Sequence, residues 1–110
     1  MLTIKDKSGN VVCEALNITE TYNAIGSFIG DRKTMLSINI ESDTDKGVTL
    51  TAVVEAFTNA DLSEMTIVNT DGEVVETYKE YTQLMTVTKS IQNGGMTIDV
   101  SLCNKIDMTE

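Results

Sequence analysis

The chain has 110 residues, 41% of them apolar and 23% charged, the profile of a single soluble domain with one hydrophobic core. A domain of this size buries roughly two-thirds of its unfolded surface, which is enough to fold on but leaves no room for separate cofactor and substrate domains. Lysine and arginine number 8 against 17 acids, giving a formal charge of -9, so the overall field repels nucleic acid and anionic membrane surfaces.

The first elements read as strands. Leu2–Asp6 and Val11–Ala15 flank Lys7-Ser-Gly-Asn10, two β-prone runs around a glycine-containing turn. Residues 16–22 continue as a half-buried strand with apolar side chains on even positions, interrupted by Glu20. A segment of about 11 residues follows, from Asn23 to Lys33, longer than most connections within a domain. Met35–Glu41 then alternates, with Leu36, Ile38 and Ile40 on one face. From Val48 to Asn59 the period changes: Leu50, Val53, Val54 and Phe57 follow the spacing of one helix face. The β-branched content keeps a strand open there. Ser42, Thr44 or Asp45 are the candidate caps, and Asn59 a candidate end. Met65–Asn69 and Glu73–Tyr78 form a hairpin, with Asp71-Gly72 supplying the positive φ values of a tight turn. Tyr81–Ile91 and Met96–Cys103 close the chain as two more strands around Gln92–Gly95. The expected fold is α+β, mostly β: an antiparallel sheet, or a small sandwich or barrel, of about 6–8 strands with one short amphipathic helix. Residues 1–103 form the domain and 104–110 a polar tail. With no proline in the chain, sheet edges are guarded by charges such as Lys5, Glu73, Lys89 and Asp99.

The chemistry is bounded mainly by missing residues. Without histidine there is no Ser-His-Asp or Cys-His site, and the commonest zinc ligand is lacking. Cys13 and Cys103 stand too far apart for a C-x-x-C pair; each reads as a small buried hydrophobe, with a disulfide between them as the alternative. The seven glycines spell neither a dinucleotide fingerprint nor a phosphate loop. Glu41-Ser-Asp43-Thr-Asp45 places alternate carboxylates where a cation could sit. An EF-hand loop needs glycine and glutamate where Lys46 and Ala52 stand, so the segment reads as a turn introducing the helix. No catalytic residue, metal or cofactor is expected, and no enzymatic activity.

Two surfaces remain as candidates for binding. Residues 1–40 are charge-balanced, whereas 41–80 carry a net charge of -8, including Glu64, Asp71, Glu73, Glu76 and Glu80. Such an acidic patch either solvates the fold or meets a basic partner. The second is the segment between residues 23 and 33, where Ile25, Phe28 and Ile29 lie among glycines and precede Arg32-Lys33, the only adjacent basic pair. It reads as a plug for one end of the sheet or an apolar tongue that docks on a partner.

The stretch Leu62–Glu73, followed by Tyr78-Lys-Glu-Tyr81 and Gly94–Leu102, resembles small β-rich proteins encoded in phages and prophages of Gram-positive bacteria. The resemblance covers about the second half of the chain and carries over no binding residue. It implies a virion-associated or tail-region accessory, or another small phage product, expected in the host cytoplasm or on the virion. Two functions from different classes follow. One is a structural or assembly protein that joins copies of itself, as a homo-oligomer, or partner proteins through strand edges and the 23–33 segment. The other is a counter-defence inhibitor whose acidic surface imitates nucleic acid in a host immune protein, with sequestration of a small nucleotide as a less favoured variant. Neither reading involves direct contact with nucleic acid or membrane.

Overall fold

The computed structural model describes residues 1–24 and 34–104. They form β1 (Leu2–Lys5), β2 (Val11–Ala15), β3 (Asn17–Tyr22), β4 (Thr34–Glu41), α1 (Leu50–Asn59), β5 (Glu64–Val68), β6 (Val74–Lys79), β7 (Gln83–Gln92) and β8 (Gly95–Cys103). The strands make two antiparallel four-stranded sheets, ordered β2-β1-β5-β6 and β3-β4-β8-β7. The sheets are not closed into a barrel. This is the mostly β, single-helix architecture expected. Residues 25–33 of the expected 23–33 loop, and 105–110 of the polar tail, lie outside the described residues.

Both hairpins of the first sheet turn in the same way. In β1–β2, Asp6 Oδ1 accepts from the N–H groups of Ser8 and Asn10, both at 3.0 Å, while Gly9 N–H donates to Asp6 O at 3.0 Å. In β5–β6, Asn69 Oδ1 accepts from Asp71 and Glu73 N–H at 3.0 Å, and Gly72 N–H donates to Asn69 O at 3.0 Å. Gly9 and Gly72 take φ of 88° and 83°, a region glycine enters without steric cost. The Asp-Gly expectation is therefore corrected. Asp71 does not have a positive φ; only Gly72 does, and Asn69 organises the turn through its side chain. The segments around these turns also match in sequence, Thr3-Ile-Lys-Asp-Lys-Ser-Gly-Asn-Val-Val12 against Thr66-Ile-Val-Asn-Thr-Asp-Gly-Glu-Val-Val75.

Alternation decides the core. Leu36, Ile38 and Ile40 of β4 and Ile98, Val100 and Leu102 of β8 are buried, and they meet Ile4, Ala15, Met65 and Ile67 of the first sheet in one cluster. Helix α1 adds Val53 and Phe57, whereas Leu50 at its start is exposed. Its cap is Thr49, whose Oγ1 accepts from Ala52 N–H at 3.2 Å, rather than Ser42, Thr44 or Asp45. A 3-10 turn at Thr44–Lys46, capped by Asp43, comes first and leads into the helix. Ser42 is buried, and its hydroxyl donates to Val48 O.

The chain passes between sheets twice without a helix. From β2 to β3 only Leu16 intervenes, its N–H donating to Asn39 O at 2.7 Å. From β6 to β7 the link is 80–82, so Tyr81 precedes its strand rather than beginning it. Glu80 ends β6 with φ of 66° and donates its N–H to Ser63 O at 2.9 Å. Two of the expected edge guards are also corrected. Lys5 and Asp99 lie on β1 and β8, which pair on both sides, and Asp99 accepts from Asn39 Nδ2. The outer strands are β2, β6, β3 and β7.

Candidate functional site

Each of Glu64, Asp71, Glu73, Glu76 and Glu80 belongs to the β5–β6 hairpin or its ends, because the acidic stretch of sequence folds back on itself about Asn69. They do not share one face. Glu64 stands opposite Lys79, their charged groups 3.9 Å apart. Glu76 stands opposite buried Ile67, on the face that continues inward, and Asp71 and Glu73 occupy the turn. Glu73 accepts from Asn69 Nδ2, which helps to hold the turn closed. Ile25, Phe28, Ile29, Arg32 and Lys33 lie outside the described residues.

Strand β6 is the least covered of the first sheet. Val74 and Val75 are 62% and 53% exposed, and only Tyr78 among its six residues is half-buried. Among the described residues its extended contacts are with β5 alone. The direction of its backbone groups follows from two hydrogen bonds. Glu80 N–H points to Ser63 on the β5 side, and since N–H groups alternate along a strand, Tyr78 and Glu76 turn the same way. Thr77 N–H therefore turns to the open side, where Glu76 Oε1 accepts from it at 2.9 Å. A carboxylate thus covers one donor of an edge that no second strand pairs among the described residues.

Beside that edge lies a cleft of about 350 Å³, bordered by Glu76, Thr77, Tyr78 and Lys79 of β6 together with Glu20, Thr34, Tyr81 and Asn104. Tyr81 is buried, and its hydroxyl donates to Glu20 Oε2 at 2.6 Å; its ring meets that of Tyr78 edge to face, centroids 5.8 Å apart. Burial, followed by the hydrogen bond to Glu20, pushes the Tyr81 phenol up to about 12; burial and the nearby Glu20 and Glu76 also raise Tyr78. The cleft therefore combines two carboxylates with two neutral phenol rings, and its one cation among the described residues, Lys79, pairs with Glu64. Glu20 was visible in the sequence only as a break in alternation. Its purpose is the contact with Tyr81, 61 positions away, which no local pattern reveals.

A second hollow, of about 260 Å³, lies between β2, the 3-10 turn and α1, with Val12, Cys13, Val48 and Val53 among its walls. Burial, then the charge of Glu14, pushes the Cys13 thiol up to about 12, which leaves it uncharged at neutral pH and without nucleophilic character. No disulfide joins Cys13 and Cys103, so that alternative is corrected; Cys103 is buried and contacts Met85. Among the described residues no helix is long and apolar enough to cross a membrane. Nothing matches the chain among family models, curated proteins or solved structures.

Proposed function

We propose that the protein is a non-enzymatic assembly component of the kind phages and prophages encode, and that it joins a partner protein through the outer edge of β6. The observation that carries this reading is the exposure of that edge, where two valines face solvent at the rim of a sheet and the outward Thr77 N–H is covered only by the strand's own Glu76 side chain. The phage setting rests on the resemblance of the second half of the chain. A second copy is the weaker occupant. Two β6 strands laid side by side bring Glu73, Glu76 and Glu80 of each copy together, and like charges facing across a ladder are destabilising. The counter-defence reading is the second one, favoured by the five carboxylates on this single hairpin, which suit a basic surface.

The test is a photo-crosslinking side chain at Val75, compared with the same group at Thr88 on β7, in the cells that make the protein. A hetero-adduct formed from Val75 and not from Thr88 is the expected outcome. Adducts of two copies alone would refute a foreign partner, and equal adducts from both positions, or none, would refute the β6 edge.

A further inference from the structure

The cleft and the edge adjoin, and Glu76 belongs to both. We infer that the occupant of β6 is an extended segment carrying lysine or arginine, which adds as a strand and places one cationic side chain between Glu20, Glu76 and the Tyr78 and Tyr81 rings. This rests on the reading of β6 as the contact edge, and it adds the chemistry of the partner.

The selection comes from Glu76. A strand that pairs with Thr77 must take over the N–H that Glu76 Oε1 now accepts from, 2.9 Å away. A neutral strand displaces the carboxylate and offers nothing in return, so it trades one charge-assisted hydrogen bond for an ordinary one. A strand with a cation at the facing position supplies a new donor for the displaced carboxylate. The cleft reinforces this preference. Glu20 is fixed at its border by the Tyr81 hydroxyl, and tyrosine ring faces attract cations within about 6 Å. The one cation lining the cleft among the described residues, Lys79, has its ammonium directed to Glu64, 3.9 Å away on the other face of the hairpin. A second copy of this chain offers little cationic character at its own β6, where Lys79 stands against Glu73, Glu76 and Glu80.

The test uses two blocked heptapeptides, one alternating threonine with lysine and one alternating threonine with glutamine, titrated into the purified full chain and followed by amide and aromatic NMR shifts. The lysine peptide is expected to shift the Thr77 and Lys79 amides together with the Tyr78 and Tyr81 rings. It should bind about fivefold or more tighter than the glutamine peptide, with the difference shrinking as salt rises. Glu76→Gln and Glu20→Gln should each weaken the lysine peptide alone. Glu76→Ala should tighten the glutamine peptide, because the Thr77 N–H is then free. Equal, salt-insensitive binding of both peptides at β6 would overturn the cationic selection while leaving the edge contact standing. Shifts confined to another edge, or no shifts at millimolar peptide, would overturn the inference, and the Val75 crosslink then reports separately on the edge. The exposed position of Glu76 keeps its variants informative should Glu20→Gln disturb folding.

Discussion

Asp6 offers a measurement of how the hairpin that carries β6 is anchored. Asp6 and Asn69 build the same turn, each accepting from two backbone N–H groups at 3.0 Å. Asp6 has a further partner. It is 7% exposed, and its Oδ2 accepts from the N–H of Asp61 at 3.3 Å, on the link from α1 into β5, while Lys7 N–H donates to Asp61 O. Asn69→Ala removes the turn bonds and the exposed Nδ2 contact with Glu73, all of whose partners then bond water, and should cost about 1–2 kcal/mol. Asp6→Ala removes equivalent bonds and also leaves the part-buried Asp61 N–H without its acceptor, so about 3–4 kcal/mol is expected. The difference of about 2 kcal/mol belongs to the bridge to Asp61. Asp6→Asn should fall between them, since it keeps Oδ1 as acceptor but turns an amide donor toward the Asp61 N–H. Urea unfolding followed by far-ultraviolet circular dichroism measures all three, with slopes compared to confirm that the same surface unfolds. Equal losses for Asp6→Ala and Asn69→Ala, within about 0.5 kcal/mol, would refute the bridge as an anchor for the root of β5.

Further outcomes are expected. Phe57→Ala should cost about 3–5 kcal/mol in the same assay, because this buried ring fixes α1 to the core. In a phenolate absorbance titration one phenol should ionise near pH 12, and Tyr81→Phe should remove it. Because the folded state raises the Tyr81 value, its contribution to stability is complete below about pH 10 and is lost as pH rises toward about 12; a wild-type stability no more sensitive than Tyr81→Phe across that window would contradict this. Neither thiol should react with a disulfide reagent at neutral pH in the folded chain, and both should react in urea.

What the sequence disclosed followed from how local the determining forces are. Strands β4 and β8 were legible because each buries three alternating branched side chains, and α1 because Val53 and Phe57 keep one helix face. The helix cap was misplaced because Asp43 and its neighbours are consumed by a separate 3-10 turn, leaving Thr49 next to the first helical residue. Edge identity was not legible, since Lys5 and Asp99 look solvated in isolation and only strand order puts them in mid-sheet. The acidic residues of the hairpin were legible as a group because they are close in sequence. The cleft was not, because Glu20, Glu76 and Tyr81 meet only where the chain crosses from one sheet to the other.

The matched turns have a consequence for the first sheet as a whole. Its central pair, β1 with β5, is antiparallel and registers Ile4 against Ile67, each two residues before its turn-forming Asp6 or Asn69. Both hairpins also slip register just before the turn, pairing Lys5 with Val11 and Val68 with Val74. The pairing is therefore unchanged by a half-turn about the Ile4–Ile67 pair, and the sheet is a pseudo-symmetric dimer of hairpins within one chain. Symmetry of the backbone makes the departures in side chain informative. Past the shared Val-Val, one copy continues Cys13-Glu-Ala15 and the other Glu76-Thr-Tyr78. The thiol and the methyl turn β2 into core packing beside α1, while the carboxylate and the phenol at the equivalent places give β6 its open edge and its cleft. A single scaffold thus serves twice, once to hold the molecule together and once to face outward, and three consecutive positions mark where the two uses part.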